Sequence, residues 1–147
     1  MTVDLDLVRE IGGSNHGLAI VSVARPDGSV HSSLVNAGVL DDAPGGTPVV
    51  ALVAAGGSKK LDLMRTAGRA TVTFQHGWQW VSVEGDARIA GPDDPGVVDP
   101  DAIPTLLRDV FIAAGGTHDN WDEYDRVMAE QRRAAVLVTP RRVITNR

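Results

Sequence analysis

Short segments rich in apolar and β-branched residues, separated by strong turn signals, constrain the fold of this chain more than any other feature. Two of them, Leu18–Ala24 and Val30–Leu40, flank the sequence Arg-Pro-Asp-Gly-Ser at positions 25–29. Proline presets φ at the first turn position and glycine accepts a positive φ, so this sequence is typical of a tight turn. We expect the two segments to pair as a β-hairpin.

The same pattern predicts six strands and four helices. The strands are Leu18–Ala24, Val30–Leu40, Val49–Ala55, Ala70–Gln75, Gln79–Ala90 and Ala134–Thr145, the last with a bend at Pro140. The helices are one from Val3 to the Gly12-Gly13 pair, one around Leu61–Arg65 that Ser58 caps, and two between Gly91 and Arg133, the second with Arg132 and Arg133 in its last turn. An antiparallel sheet of this size usually curls and closes to remove exposed edges. We therefore predict a mainly β (α+β) fold, a six-stranded antiparallel barrel with short helices and a helical insertion before the last strand.

Composition limits the classes of function. The length of 147 residues suits a single domain, residues 1–147. A net charge of −5 without a basic block argues against nucleic-acid binding. The chain has no cysteine, and its four histidines have no ligand spacing, so we predict no metal site. No apolar stretch approaches the roughly 20 residues that span a bilayer, and the acidic start lacks a signal-peptide pattern, which predicts a cytoplasmic protein without membrane contact.

The sequence Gly-Gly-Ser-Lys-Lys at positions 56–60 carries the strongest hint of function. It follows an apolar strand and begins a helix, where unpaired N–H groups and the helix dipole already give partial positive charge. Lys59 and Lys60 add like charge there, and a bound phosphate would turn that liability into a site. The alternative is a pair of solvated lysines whose long side chains bend away.

Other motifs do not supply chemistry of their own. The glycines at positions 12–17 are spaced like a P-loop, but Leu18 and Ala19 stand where Lys and Ser or Thr belong. No Rossmann glycine fingerprint follows a strand, and no serine lies in a nucleophile elbow. If the protein is an enzyme, a bound cofactor supplies the chemistry.

Taken in order, several segments resemble one known family. They are Val30-His31-Ser32-Ser33 after the Pro-Asp-Gly turn, Gly57-Ser58-Lys59-Lys60, Gly68-Arg69-Ala70-Thr71-Val72, the segment from Trp80 to Ala87, and Thr139-Pro140-Arg141-Arg142-Val143. Together they are similar to the pyridoxamine 5'-phosphate oxidase-like proteins, the FMN-binding split β-barrel family. Within this family the segments resemble those of small actinobacterial proteins that use the deazaflavin coenzyme F-420.

The resemblance implies a homodimer with two cofactor sites at the subunit interface. In such proteins the end of the second strand and the basic start of the helix after the third hold the cofactor phosphate. The corresponding residues here are Ser32, Ser33, Ser58, Lys59 and Lys60, with Arg65 as a further possibility one turn later.

Three more residues have two interpretations each. Trp78 and Trp80 either wall the cofactor ring, from the partner subunit, or pack in the dimer interface. Asn36 either contacts the cofactor or forms a hydrogen bond in the core or interface.

The implied activity is hydride transfer between reduced coenzyme F-420 and an unsaturated small organic substrate. FMN is the alternative cofactor, and a non-catalytic carrier of either one is the alternative function. No residue stands out as a catalytic acid or base, so the catalytic residues are unknown at this stage.

Overall fold

Six strands form a closed antiparallel barrel in the computed structural model, which describes residues 4–147. The strands are β1 (Leu18–Ala24), β2 (Val30–Leu40), β3 (Val49–Ala54), β4 (Arg69–His76), β5 (Gln79–Ala90) and β6 (Ala134–Thr145). Around the barrel their order is β1-β2-β3-β6-β5-β4. The helices are α1 (Asp6–Ser14), α2 (Lys59–Ala67), α3 (Ile103–Ala113), which a 3-10 turn at Pro100–Ala102 precedes, and α4 (Trp121–Glu130). The predicted six-stranded barrel with a helical insertion before the last strand is confirmed.

Alternation along the strands creates the interior of the barrel. In β1, Val21 and Val23 are fully buried, whereas Leu18 and Ile20 point to the outer surface. Helix α2 closes one end of the barrel, because its buried residues join the same apolar core. Those residues are Leu61, Leu63 and Met64. The start of α2 is therefore fixed against the barrel by its own apolar face.

The barrel wall is only partly joined between β2 and β3. Strand β2 pairs with β1 from Val30 to Asn36, but it pairs with β3 only from Ala37 to Leu40. Strand β3 nevertheless continues to Ala54 in its pairing with β6. The first half of β2 and the end of β3 therefore have no ladder of backbone hydrogen bonds between them. A cavity opens at this gap.

The helical insertion covers this side of the barrel. Its helix α3 approaches β2 at Gly38, where a Cβ atom would lie 2.0 Å from the carbonyl oxygen of Ala113. Only glycine allows such a close approach between a strand and a helix end. A second apolar cluster forms around it, including Leu106, Leu107 and Val110 of α3. No helix within residues 4–147 is long and apolar enough to cross a membrane.

Several boundaries differ from the prediction. Strand β3 ends at Ala54 and not at Ala55, and β4 runs from Arg69 to His76 and not from Ala70 to Gln75. Helix α1 continues one residue beyond the Gly12-Gly13 pair, to Ser14; a Cβ at Gly12 would lie 3.0 Å from the ring of Phe74. Helix α4 ends at Glu130, so Arg132 and Arg133 are not in its last turn. The prediction for Val3 lies outside the described residues.

Candidate functional site

A cavity of about 560 Å³ lies at the gap between β2 and β3. Its lining residues are Leu34, Val35 and Asn36 of β2, Val53, Ala54 and Ala55 at the end of β3, Lys60 of α2, Val110, Phe111 and Ala114 of α3 and the turn after it, Tyr124 and Met128 of α4, and His16, Gly115, Gly116 and Arg133. Most of these side chains are apolar, and the volume falls in the range of roughly 300–1,000 Å³ that is usual for ligand sites.

The charges at the cavity are all positive. Lys60 and Arg133 line it, and its lining includes no aspartate or glutamate. Burial lowers the pKa of Lys60, and the nearby guanidinium of Arg133 lowers it further. Among residues 4–147, neither cation forms a salt bridge. Since the chain as a whole is acidic, with a net charge of −5, this pair of unneutralised cations favours an anionic ligand.

Of the predicted phosphate residues at the start of α2, only Lys60 lines the cavity. Lys60 is half-buried and lines the cavity, whereas Lys59 is exposed and lies outside its lining. Ser58 occupies the predicted N-cap position but makes no capping hydrogen bond. Its hydroxyl is buried without a partner among the described residues, as is the hydroxyl of Ser33. Buried hydroxyls are usually hydrogen-bonded, so these two are candidates for contact with a ligand.

Ser32 and Arg65 have partners elsewhere. The hydroxyl of Ser32 lies on the outer surface, 2.9 Å from that of Ser22. Arg65 donates two hydrogen bonds to Asp94, at 2.8 and 2.7 Å, and one to Asp62 at 2.8 Å. These carboxylates raise the pKa of Arg65. Arg65 lies outside the cavity lining, and its guanidinium holds the turn at Asp94 against α2. A phosphate role for Arg65 stays a prediction.

The two tryptophans do not meet the cavity within one chain. Trp78 is 94% exposed at the tip of the β4–β5 hairpin. The side chain of Asn146 binds the backbone of both tryptophans. It accepts a hydrogen bond from Trp80 N at 3.1 Å and donates one to Trp78 O at 2.7 Å. Contact of either indole with a cofactor would therefore come from a second copy of the chain, and it stays a prediction.

Asn36 has a defined role at the cavity rim. Its side-chain amide donates to the backbone carbonyl of His16 at 2.9 Å. His16 has a left-handed backbone with φ of 58°, a conformation that is uncommon for residues other than glycine. Asn36 thus fixes the loop before β1, and it also lines the cavity.

The insertion supplies the aromatic wall. Phe111 and Tyr124 pack with their ring centroids 5.0 Å apart, and both line the cavity. The hydroxyl of Tyr124 donates to the carbonyl of Leu107 at 3.0 Å, and burial raises its pKa. This hydroxyl is therefore a structural donor that holds α4 to α3.

Sequence reasoning missed Arg133 because it placed that residue in a helix. A signal existed in the sequence Gln-Arg-Arg-Ala-Ala-Val at positions 131–136, where a charged residue directly precedes a fully apolar strand. Such a position lies at a barrel rim, where a long charged side chain can reach a cavity.

Comparison with known proteins places the fold in context. No protein-family model and no curated protein matches the chain. Among the solved structures that share its fold are three from different proteins. A conserved hypothetical protein from Mycobacterium tuberculosis aligns with a TM-score of 0.67 and 18% identity, over 99% of this chain and 85% of that one. A pyridoxamine 5'-phosphate oxidase-related, FMN-binding protein from Nostoc punctiforme aligns with a TM-score of 0.71 and 11% identity, over 99% and 86% of the two chains.

The third structure is named an F-420 reductase. It aligns with a TM-score of 0.59 and 12% identity, over 86% of this chain and 88% of that one. At these identities the likeness concerns the fold and not the activity. The chain has the split β-barrel fold of the pyridoxamine 5'-phosphate oxidase-like proteins, as the order of its sequence motifs predicted.

Proposed function

We propose that the cavity binds a phosphate-bearing flavin-type cofactor and that the protein is an oxidoreductase. The cofactor is coenzyme F-420, as the sequence resemblance implies, with FMN as the alternative. The reaction is hydride transfer to an unsaturated small organic substrate. The observation that carries the proposal is Lys60, a half-buried and unneutralised cation at the start of α2 in a mainly apolar cavity.

The residues around Lys60 suit a phosphate. An anion near the N-terminus of α2 meets free backbone N–H groups and the positive end of the helix dipole. The hydroxyl of Ser58, two residues before Lys60, has no partner among the described residues and is a donor that a phosphate oxygen can satisfy. A phosphate role for Ser33 stays a prediction from the resemblance. A bound anion also relieves the unfavourable burial of the Lys60 ammonium group.

The apolar part of the cavity suits a planar ring system. Val110, Phe111 and Met128 form a wall from the helical insertion, and such surfaces bind aromatic rings through burial of apolar area. When bound, the cofactor supplies the hydride. The protein's contribution is to hold the ring and the substrate in one orientation and to exclude water.

The known structures with this fold support the proposal. One is described as FMN-binding and another as an F-420 reductase. Both descriptions involve a flavin or deazaflavin, which is the class of cofactor that the sequence motifs imply.

A homodimer is part of the proposal, and the outer face of the barrel supports it. Ile20 of β1 pairs with Leu34 of β2 on that face, and these side chains are 41% and 64% exposed. Val30 of β2 is also exposed, at 57%. Exposed apolar side chains on neighbouring strands are typical of a protein contact surface. Because Leu34 also lines the cavity, a second copy seated on this face would reach the cofactor site.

Titration with each cofactor tests the function. Coenzyme F-420 and FMN are added to the purified protein and to two matched variants, Lys60→Ala and Lys59→Ala, with binding followed by fluorescence. We expect Lys60→Ala to weaken binding by at least about tenfold, the loss that follows from removing a charged hydrogen-bond partner. Lys59→Ala should have a much smaller effect, since Lys59 is exposed outside the cavity.

Turnover separates the enzyme from the carrier. The reduced form of the tighter-binding cofactor is mixed with a panel of unsaturated substrates, and its oxidation is followed by absorbance. Substrate-dependent oxidation supports the oxidoreductase. Tight binding without oxidation on the whole panel favours the non-catalytic carrier, and an absence of binding by both cofactors contradicts the proposed function.

A further inference from the structure

The backbone before Arg133 packs directly on the backbone before Lys60. Gly56 N–H donates to the carbonyl of Gln131 at 3.1 Å. A Cβ at Gly56 would lie 2.5 Å from the carbonyl oxygen of Arg132, so a side chain at position 56 would push the two segments apart. The start of α2 and the exit of the helical insertion are thereby joined at one side of the cavity.

The residue between these contacts has a strained backbone. Arg132 has φ of 48°, and a left-handed conformation costs about 1–3 kcal/mol for a residue other than glycine. Its guanidinium forms a forked ion pair with Asp93, with Nε 3.1 Å from each carboxylate oxygen. Such bidentate pairs fix geometry as well as supplying energy. The ion pair thus holds the backbone of Arg132 in its left-handed conformation. The side chain of the next residue, Arg133, lies at the cavity and does not continue α4.

Arg133 has unused hydrogen-bonding capacity. Its Nε donates to the side chain of Gln131 at 2.8 Å, and the described residues form no salt bridge with it. Its positive charge acts to lower the pKa of both Lys60 and Tyr124, and these two residues also line the cavity. Two cations therefore face one cavity that has no carboxylate in its lining.

We propose that Lys60 and Arg133 act together as a clamp for a dianionic phosphate monoester. A monoester carries a charge of about −1.5 to −2 near neutral pH, so it balances both cations. A singly charged anion leaves one cation uncompensated in a partly desolvated cavity, which is unfavourable. The inference rests on the proposed function, because it takes this cavity as the cofactor site. Of the two proposed cofactors the clamp favours the alternative, FMN, whose phosphate is a monoester, over coenzyme F-420, whose phosphate is a diester.

Two small probes of nearly the same shape show how the charge of the ligand affects its affinity. Phenyl phosphate is close to a dianion at pH 8, whereas phenyl sulfate is a monoanion, and both affinities are measured by calorimetry. We expect the wild-type protein to bind phenyl phosphate at least about tenfold more tightly, which corresponds to one charge-assisted contact. Arg133→Gln should remove most of that preference.

Two further variants serve as a second test of the clamp and as a control. Lys60→Gln removes the other charge of the clamp and should lose the preference in the same way. Arg126→Gln removes an exposed arginine of α4 that pairs with Glu130, so it should keep the preference. Thermal melting shows whether each variant is folded. Equal affinity for the two probes in the wild type, no binding of either, or a preference that survives in Arg133→Gln would overturn the clamp.

FMN titration on the same variants separates this inference from the proposed function. If FMN binds and Arg133→Gln leaves its affinity unchanged, the cofactor site stands and the clamp is wrong. If phenyl phosphate shows the expected dependence on Arg133 and neither FMN nor coenzyme F-420 binds, the clamp stands and the proposed cofactor is wrong.

Discussion

At the scale of single residues, the proposed phosphate site depends on Lys60, a half-buried cation whose charged form is disfavoured by burial in the ligand-free protein. Burial and the neighbouring Arg133 both lower the pKa of Lys60 from its ordinary 10.5. The unfolded chain exposes this ammonium group to water and therefore binds its proton more tightly than the folded chain does. Linkage then requires the charged lysine to destabilise the ligand-free fold at neutral pH. Such a residue is typical of a binding site, where stability is given up for function.

The substitution Lys60→Met should raise the melting temperature of the ligand-free protein at pH 7. The gain should shrink as the pH rises towards 10.5, the ordinary value for lysine, because the folded wild type then loses its proton before the unfolded chain does. Thermal melts between pH 7 and pH 10 check this, with Lys59→Met as the control for loss of one charge at an exposed position. A lower melting temperature at pH 7, or a gain that does not change with pH, would contradict it.

Residue roles were predictable only in part. The sequence located an anion-binding candidate at Lys59 and Lys60, but it could not tell which lysine faces the cavity, because this depends on how α2 rotates to bury Leu61 and Met64. Arg133 was missed, although a charged residue directly before an apolar strand was a signal for it. Its position follows from the contact of Arg132 with Asp93, which is 39 residues away in sequence.

At the scale of elements, the helical insertion shapes the cavity through one tight contact. Helix α3 reaches β2 where Gly38 leaves space for the carbonyl of Ala113, and the cavity wall at Phe111 and Ala114 belongs to the same helix end. The glycine therefore sets the distance between the wall and the strand.

The substitution Gly38→Ala should destabilise the fold by about 1–3 kcal/mol, the usual effect of overpacking, and should also weaken cofactor binding by displacing α3. Gly13→Ala is the matched control, because nothing lies within 4 Å of a Cβ there. In the interior of α1 the control should stabilise the fold by about 0.5–1 kcal/mol. Chemical denaturation and cofactor titration of both variants check this. Equal stability of the two variants would show that α3 is not held at Gly38.

Elements with a local cause were predicted well. The Pro-Asp-Gly turn predicted the β1–β2 hairpin, and the structure has it. The predicted end of α1 was one residue short of Ser14, and Gly12 in its last turn lies close to Phe74. Local signals could not reveal this, since the partner lies on another strand.

At the scale of the whole molecule, the outer face of the barrel should determine the assembly. Ile20 and Leu34 are paired and exposed on that face, and covering them against a second copy would bury apolar area. A second copy would also bring further side chains towards the cavity at Leu34.

The substitution Ile20→Glu should therefore convert a dimer into monomers and weaken cofactor binding, because it places a charge in the centre of the interface. The matched control is Ile112→Glu, at an isoleucine of α3 that is 54% exposed and outside the cavity lining. Sedimentation of both variants measures the mass in solution. A monomeric wild type, or an Ile20→Glu variant that stays dimeric, would contradict the proposed assembly.

The proposed site for the cofactor phosphate is the start of α2, inside the cavity between β2 and β3. A crystal structure of the protein grown with FMN or coenzyme F-420 is the direct test of this site. We expect a phosphate oxygen within about 3 Å of the Lys60 ammonium group, as in a charge-assisted hydrogen bond, and the ring against Phe111 and Met128. A cofactor bound elsewhere, with Lys60 turned to bulk solvent, would contradict it.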